Sequence, residues 1–305
     1  MMATERRAGP DAERGDAWTT ATGQAARWVA LQLDLRAPRT WFGPSWALLG
    51  GVVSSGNMPF RLDGFVVLAV TWLIAEPVLG TLLAQSLEVA KRRRGSRAQP
   101  GPQGQLTIPY ARAHSPGQRA LDALAASLAR FAANWQATEG AGERWLLLAL
   151  VALVLGAVAG GLVPLLVAGA IAGLLWVALS KPLRSEGREA LAAGHFFLAW
   201  LIGHNAFAGL DYPDVLMGAG YAALWYGWTR RPPMVPLLAA VHVLLAGLLA
   251  AAHAPLSAGG VLLLAVPLFI LLPEGPSSQR TYLPQSQFYP MASLLLAAWG
   301  RVWSF

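Results

Sequence analysis

The chain alternates long apolar runs with short polar joints. A helix that crosses a bilayer needs about 20 mostly apolar residues, with about 17 as a lower limit. On that measure nine segments qualify: roughly 41–59, 63–84, 144–160, 162–179, 191–209, 213–229, 234–253, 257–273 and 287–304. The third and fourth meet at Gly160-Gly161, which suits a tight hairpin. Glycine and proline (Pro164, Pro236, Pro267) interrupt several runs, a feature that helix bundles in membranes tolerate. The pattern predicts an all-α integral membrane protein with nine transmembrane helices in residues 41–305.

The polar segments divide the rest. Residues 1–40 form an arm holding Arg6, Arg7, Arg14, Arg27, Arg36 and Arg39, with no continuous apolar run. A secretory signal needs an apolar core close behind its first basic residues, so the arm is expected to stay in the cytoplasm. The longest joint, 91–143, opens on Lys91-Arg92-Arg93-Arg94 and passes through a Pro/Gly/Gln stretch. From Ser115 to Ala133, apolar residues recur at Leu121, Leu124, Leu128 and Phe131. That spacing predicts an amphipathic helix on the cytoplasmic surface, with Ser115 as N-cap before Pro116.

Composition sharpens this reading. Hydrophobic residues make up 55% of the 305 and charged ones 13%, against about 25% charged in soluble domains. Mean hydropathy is +0.45. There is no cysteine, which excludes disulfides, thiolate metal sites and cysteine nucleophiles. A net charge of +7 would point to nucleic acid in a soluble protein. In a membrane protein the position of the cations matters more than their sum, and no nucleic-acid partner is expected. With the amino terminus inside and nine crossings, 21 of the 23 cations face the cytoplasm; only Arg61 and Arg301 fall outside. That asymmetry predicts a multi-pass protein of the cytoplasmic (inner) membrane, its basic run anchored at anionic membrane lipids.

Ionisable groups within spans are the usual functional pointers. They are Glu76, His195, His204, His242 and His253, with Glu88 at an inner mouth. No HExxH, GxSxG or P-loop pattern appears, and no span carries a charge ladder for ion transport. Glu76, before Pro77, reads as a carboxyl that holds two helices together. Each histidine reads either as a hydrogen-bonded core residue or as an axial ligand to a chlorin magnesium, which a neutral imidazole can provide. His204, His242 and His253 are the pigment-ligand candidates; His242 and His253, 11 residues apart, are expected on nearly one helical face. His195 and His204, nine apart, fall on opposite faces.

At the first span the residues become specific. Pro38 to Gly56 reads P-R-T-W-F-G-P-S-W-A-L-L-G-G-V-V-S-S-G. This resembles the first-helix signature of the chlorophyll and bacteriochlorophyll synthases, a branch of the UbiA-type intramembrane prenyltransferases. The segment Tyr282-Leu-Pro-Gln-Ser-Gln-Phe-Tyr-Pro290 is similar to their Y-Q-A-S-A-Q-P-F stretch. The resemblance is strong at both ends and faint between. It implies a nine-helix bundle and an enzyme that joins a prenyl diphosphate to a chlorophyllide carboxylate. Two aspartate-rich motifs would hold the magnesium ions that bind the diphosphate.

Both motifs depart from the family pattern. Where the first belongs, its asparagine falls on Ser86 and its aspartates on Leu87, Ala90 and Arg94, with only the displaced Glu88 nearby. The second region, Ala223 to Pro233, has no carboxylate. Hard divalent cations need several oxygen ligands, so bound magnesium ions are not expected. Lys91, Arg92, Arg93, Arg94, Arg230 and Arg231 are candidates for anionic lipid or diphosphate. The expectation is a non-catalytic relative: a subunit or assembly factor that binds (bacterio)chlorophyll, carotenoid or quinone, beside reaction-centre or light-harvesting polypeptides. Two alternatives stand beside it, an active prenyltransferase with unorthodox residues and a purely structural helix bundle.

Overall fold

The computed structural model describes residues 43–57, 60–92, 141–179, 185–230, 232–273 and 279–303, with isolated helical positions at Arg119, Asp122 and Ala126. Every regular element among the described residues is a helix. The order is α1 (Pro44–Ser54), α2 (Leu62–Leu73), a π-helical segment (Ile74–Val78), α3 (Leu79–Arg92), α4 (Ala141–Ala159) and α5 (Val163–Leu179). Then follow α6 (Ser185–Asn205), α7 (Tyr212–Thr229), α8 (Val235–Ala251), α9 (Pro255–Ile270), α10 (Gln279–Ser286) and α11 (Phe288–Val302). The predicted arm 1–40 and the apolar positions of the predicted amphipathic helix lie outside the described residues.

Several boundaries differ from the sequence reading, each for a local reason. The 41–59 window predicts a full crossing, but α1 has 11 residues, a rise of about 16 Å at 1.5 Å per residue. Pro44 sits at its first turn, where the missing N–H does no harm. At the other end Ser54 and Ser55 donate their hydroxyls to the carbonyls of Gly51 and Val52, and Gly56 turns the chain at φ 73°. Pro164 and Pro236 do not interrupt helices; they lie in the first turns of α5 and α8. Pro267 does lie within α9, and Pro77 lies within the π segment. The Gly160-Gly161 hairpin has both glycines at positive φ, 77° and 58°.

His253 departs furthest from expectation. It is not on α8 and shares no helical face with His242. The helix ends at Ala251, and His253 takes φ 59° in the turn beyond it. Its N–H donates to the Ala250 carbonyl and the Ala254 N–H donates to Leu249, the paired bonds of a Schellman cap. Pro255 then opens α9. An L-residue in the left-handed region gives up about 1 kcal/mol relative to glycine. His253→Gly is therefore expected to raise thermal stability by up to about 1 kcal/mol, and His253→Val to lower it. Melting curves of the two variants in one detergent check the order.

Six helices close into a ring in which each packs on the next: α1, α6, α7, α8, α9, α11 and back to α1. Large side chains fill it, among them Trp200, Tyr221 and Met217. Trp200 stacks on Tyr221 at 6.2 Å between ring centroids, and the Tyr221 hydroxyl hydrogen bonds Ser293 of α11 at 2.9 Å. The continuous run α2–π–α3 joins α4 and α5 in a second group, which meets the ring chiefly along α6. Glu76 ties the two groups. One carboxylate oxygen accepts from both the backbone N–H and the hydroxyl of Ser45, each at 2.9 Å. Those donors lie in the first turn of α1, so a carboxylate from the π segment caps a helix it does not belong to.

The outward faces are apolar. On α4, Leu146, Leu150, Val154 and Val158 recur every four residues and are each more than half exposed. Leu165, Trp176, Val243, Leu263 and Ile270 are exposed to a similar degree on other helices. Among the described residues, two helical stretches, Leu62–Leu87 and Gly142–Ala159, are long and apolar enough to cross a membrane. α8 and α9 are apolar but shorter.

Candidate functional site

A cavity of about 200 Å³ lies where the second group meets the ring. Leu79 and Leu83 of α3, Leu174 of α5, and Leu191 and Leu198 of α6 line it. His195 of α6 is the one side chain with a hydrogen-bonding group in that lining. The π segment explains how the imidazole is held. Pro77 has no N–H to give the carbonyl four residues back, so the helix loosens locally to the wider repeat. The Ala75 carbonyl, in that loosened turn, accepts from His195 Nε2 at 2.6 Å. Because a carbonyl only accepts, Nε2 carries the proton and Nδ1 keeps a lone pair.

The pigment-ligand candidates fare differently. His204 has both ring nitrogens engaged: Nδ1 with the Ser54 hydroxyl at 2.9 Å, Nε2 with the Gly209 carbonyl at 3.0 Å. It is 2% exposed and has Asp214 at 3.6 Å. Both nitrogens are thus taken up within the fold, as in the hydrogen-bonded core residue that is the other reading of each histidine. His242 donates from Nδ1 to the Leu238 carbonyl one turn back, at 2.7 Å, and meets the edge of Phe269. Its Nε2 keeps a lone pair, but the residue is 2% exposed. A macrocycle over this ring would need α8 and α9 to part. His253 is exposed in its turn, away from the expected helical face.

The positions that resemble the aspartate motif have other partners. Ser86 is fully buried and its hydroxyl accepts from the Trp145 indole N–H at 2.9 Å. Leu87 packs half-buried beside it. Glu88, Ala90, Lys91 and Arg92 belong to the last turn of α3, their side chains outside the described residues, as are Arg93, Arg94 and Arg231 altogether. Arg230 faces Glu186 at 3.5 Å and Glu189 at 3.3 Å, and its guanidinium lies 5.4 Å from the Tyr226 ring centroid. Two carboxylates already balance that charge. Among the described residues, no group of three or more histidine, aspartate or glutamate side chains could hold a metal ion.

A polar cluster that the sequence reading did not single out lies where α6, α7 and α11 end together with α1. Asp211 caps α7 by accepting from the Asp214 N–H at 2.9 Å. Arg301 reaches Asp211 at 2.6 Å and Asp214 at 3.8 Å. The signal available was Asp211-Tyr-Pro-Asp214 at a helix start, a capping pattern, together with Arg301 as the lone cation near the chain's end. Asn205 closes the joint by accepting from the Leu162 N–H at 2.7 Å, beside the Gly160-Gly161 turn. No family model matches the chain, and no curated protein or solved structure matches it.

Proposed function

We propose that the protein is a multi-pass membrane protein that binds an isoprenoid or pigment without catalysing its transfer. The observation that carries this reading is the apolar cavity with a single imidazole in its wall, set in a bundle whose outer faces are themselves apolar. An exposed apolar surface on this scale marks an interface with lipid or protein. In this reading nine segments cross the cytoplasmic membrane, the amino terminus lies inside, and the short α1 is held within the bundle by Glu76 rather than by lipid. The resemblance of Pro38 to Gly56 and Tyr282 to Pro290 to the bacteriochlorophyll synthases then supplies the class of cargo. A subunit or assembly factor of a photosynthetic complex follows from it.

Two features favour binding over catalysis. Ser86, at the motif's asparagine, is spent on Trp145 inside the core. Arg230 is paired with carboxylates on α6 rather than open to a diphosphate. Gentle extraction from the native membrane is the test. Co-purifying pigment or isoprenoid together with antenna or reaction-centre polypeptides supports the reading, and a colourless protein without partners or apolar ligand overturns it. A second expected result concerns activity. Given chlorophyllide, a C20 prenyl diphosphate and magnesium, the purified protein is expected to give no esterified product by chromatography. Turnover that Glu88→Ala abolishes would instead establish an enzyme with a relocated metal ligand.

A further inference from the structure

We infer that the cavity between α3, α5 and α6 selects an apolar molecule that carries a hydroxyl, donated to Nδ1 of His195. The inference rests on the binding function proposed above and gives it a chemical preference. A leucine-lined pocket of about 200 Å³, open on one side, favours apolar guests, and a seated guest keeps water from its wall. A dry site makes the one polar atom in its wall decisive, because an unmatched polar contact there is expensive.

The direction of that polar contact is fixed by the fold. The Ala75 carbonyl accepts the hydrogen bond from Nε2–H at 2.6 Å, leaving Nδ1 to accept only. A guest with an O–H can satisfy it. A quinone, aldehyde or ether brings only acceptors, which would set lone pair against lone pair; a hydrocarbon brings nothing. Quinols, hydroxylated carotenoids and long-chain alcohols fit, and their oxidised or alkylated counterparts do not. The discrimination therefore originates at Pro77, whose missing N–H loosens the turn that supplies the Ala75 carbonyl.

The glycines beside the histidine supply the control. Gly173 of α5 and Gly194 of α6 line the cavity, and a Cβ at either would meet nothing within 4 Å. A side chain can therefore start from Gly194 without a clash at its Cβ, and Gly194→Leu takes up space beside His195.

The experiment uses the full chain in lipid nanodiscs, with energy transfer from tryptophan to all-trans-retinol as readout and empty nanodiscs as the blank. The comparison ligand is retinyl methyl ether, matched in shape but without the donor. The expected result is retinol binding about ten-fold tighter than the ether, the worth of one hydrogen bond in a dry site. His195→Phe should erase that gap while still binding both, and Gly194→Leu should weaken both together. Equal affinities for alcohol and ether in the parent protein would overturn the hydroxyl preference and leave the isoprenoid-binding reading standing. Unchanged retinol binding by Gly194→Leu would overturn the location. Binding of neither ligand above the blank would overturn the cavity as a site, whereas the native-membrane extraction judges the broader function independently.

Discussion

Alanine at Gly203 or Gly51 is expected to prevent normal accumulation of the protein or to lower its stability by about 3 kcal/mol or more. These two glycines form the crossing of α1 and α6. A Cβ on Gly51 would fall within 3.0 Å of the Trp200 carbonyl oxygen and the His204 nitrogen. A Cβ on Gly203 would fall equally close to the Leu48 carbonyl oxygen. All of these are backbone atoms, so no rotamer change relieves the clash and the helices must separate. Small residues at crossings are how helices approach closely where lipid removes the usual hydrophobic drive. Separation here would also pull Ser54 away from His204. Gly169→Ala and Gly247→Ala are the controls, because a Cβ at either meets nothing within 4 Å. Both lie inside helices and are expected to be neutral or stabilising by under about 1 kcal/mol. Thermal unfolding followed by tryptophan fluorescence, with membrane yield recorded alongside, separates the two classes. A Gly203→Ala protein that melts with the parent would mean that the crossing is looser than described.

Much of the helical layout is legible in the sequence because long apolar runs need no phase information. Each of the nine predicted segments contains a helix or part of one, and the Gly160-Gly161 joint is where the pattern placed it. Length alone misleads at the first segment: the window counts apolar residues and is blind to Pro44 and Gly56, which set the ends of α1. His253 is misplaced for a related reason. Projecting a helix through residue 253 assumes that it continues, whereas the nearby Pro255 and the left-handed turn stop it at Ala251.

Partners are the part that sequence does not supply. That Glu76 needs a hydrogen-bond donor follows from chemistry, but the donor, Ser45, lies 31 residues away on another helix. His195 and His204 look alike in a list of histidines within the predicted spans. Packing separates them: one faces a cavity with a nitrogen to spare, and the other has both nitrogens engaged. The Asp211–Arg301 pair spans 90 residues, so only the ring closure that brings α11 against α1 makes it visible.

That pair carries the second large effect. Arg301→Ala is expected to lower stability by about 2 kcal/mol. The reason is Asp214 rather than Asp211. The Asp211 side chain is 47% exposed, and an exposed ion pair contributes under about 1 kcal/mol even at 2.6 Å. The Asp214 side chain is 3% exposed, with Arg301 at 3.8 Å and His204 at 3.6 Å, and one of its carboxylate oxygens has no hydrogen-bond partner. Without the guanidinium, the buried Asp214 carboxyl would have to stay charged with no cation beside it or keep a proton shared with Asp211. Asp211→Ala should cost only about 1 kcal/mol, chiefly the lost cap on α7. Hydrogen bonding with the Asp214 side chain, then its N–H and the nearby Arg301, hold the Asp211 carboxyl below the usual carboxylate range. Its contribution is therefore complete at neutral pH and fades only as acid protonates it. The decisive variant is Arg301→Ala combined with Asp214→Asn, which removes the buried acidic group and nearly preserves shape. It is expected to recover stability relative to Arg301→Ala alone. If Asp214→Asn instead added its own loss to that of Arg301→Ala, the carboxylate would not be what the arginine neutralises, and the cluster would owe its stability to the His204 hydrogen bonds.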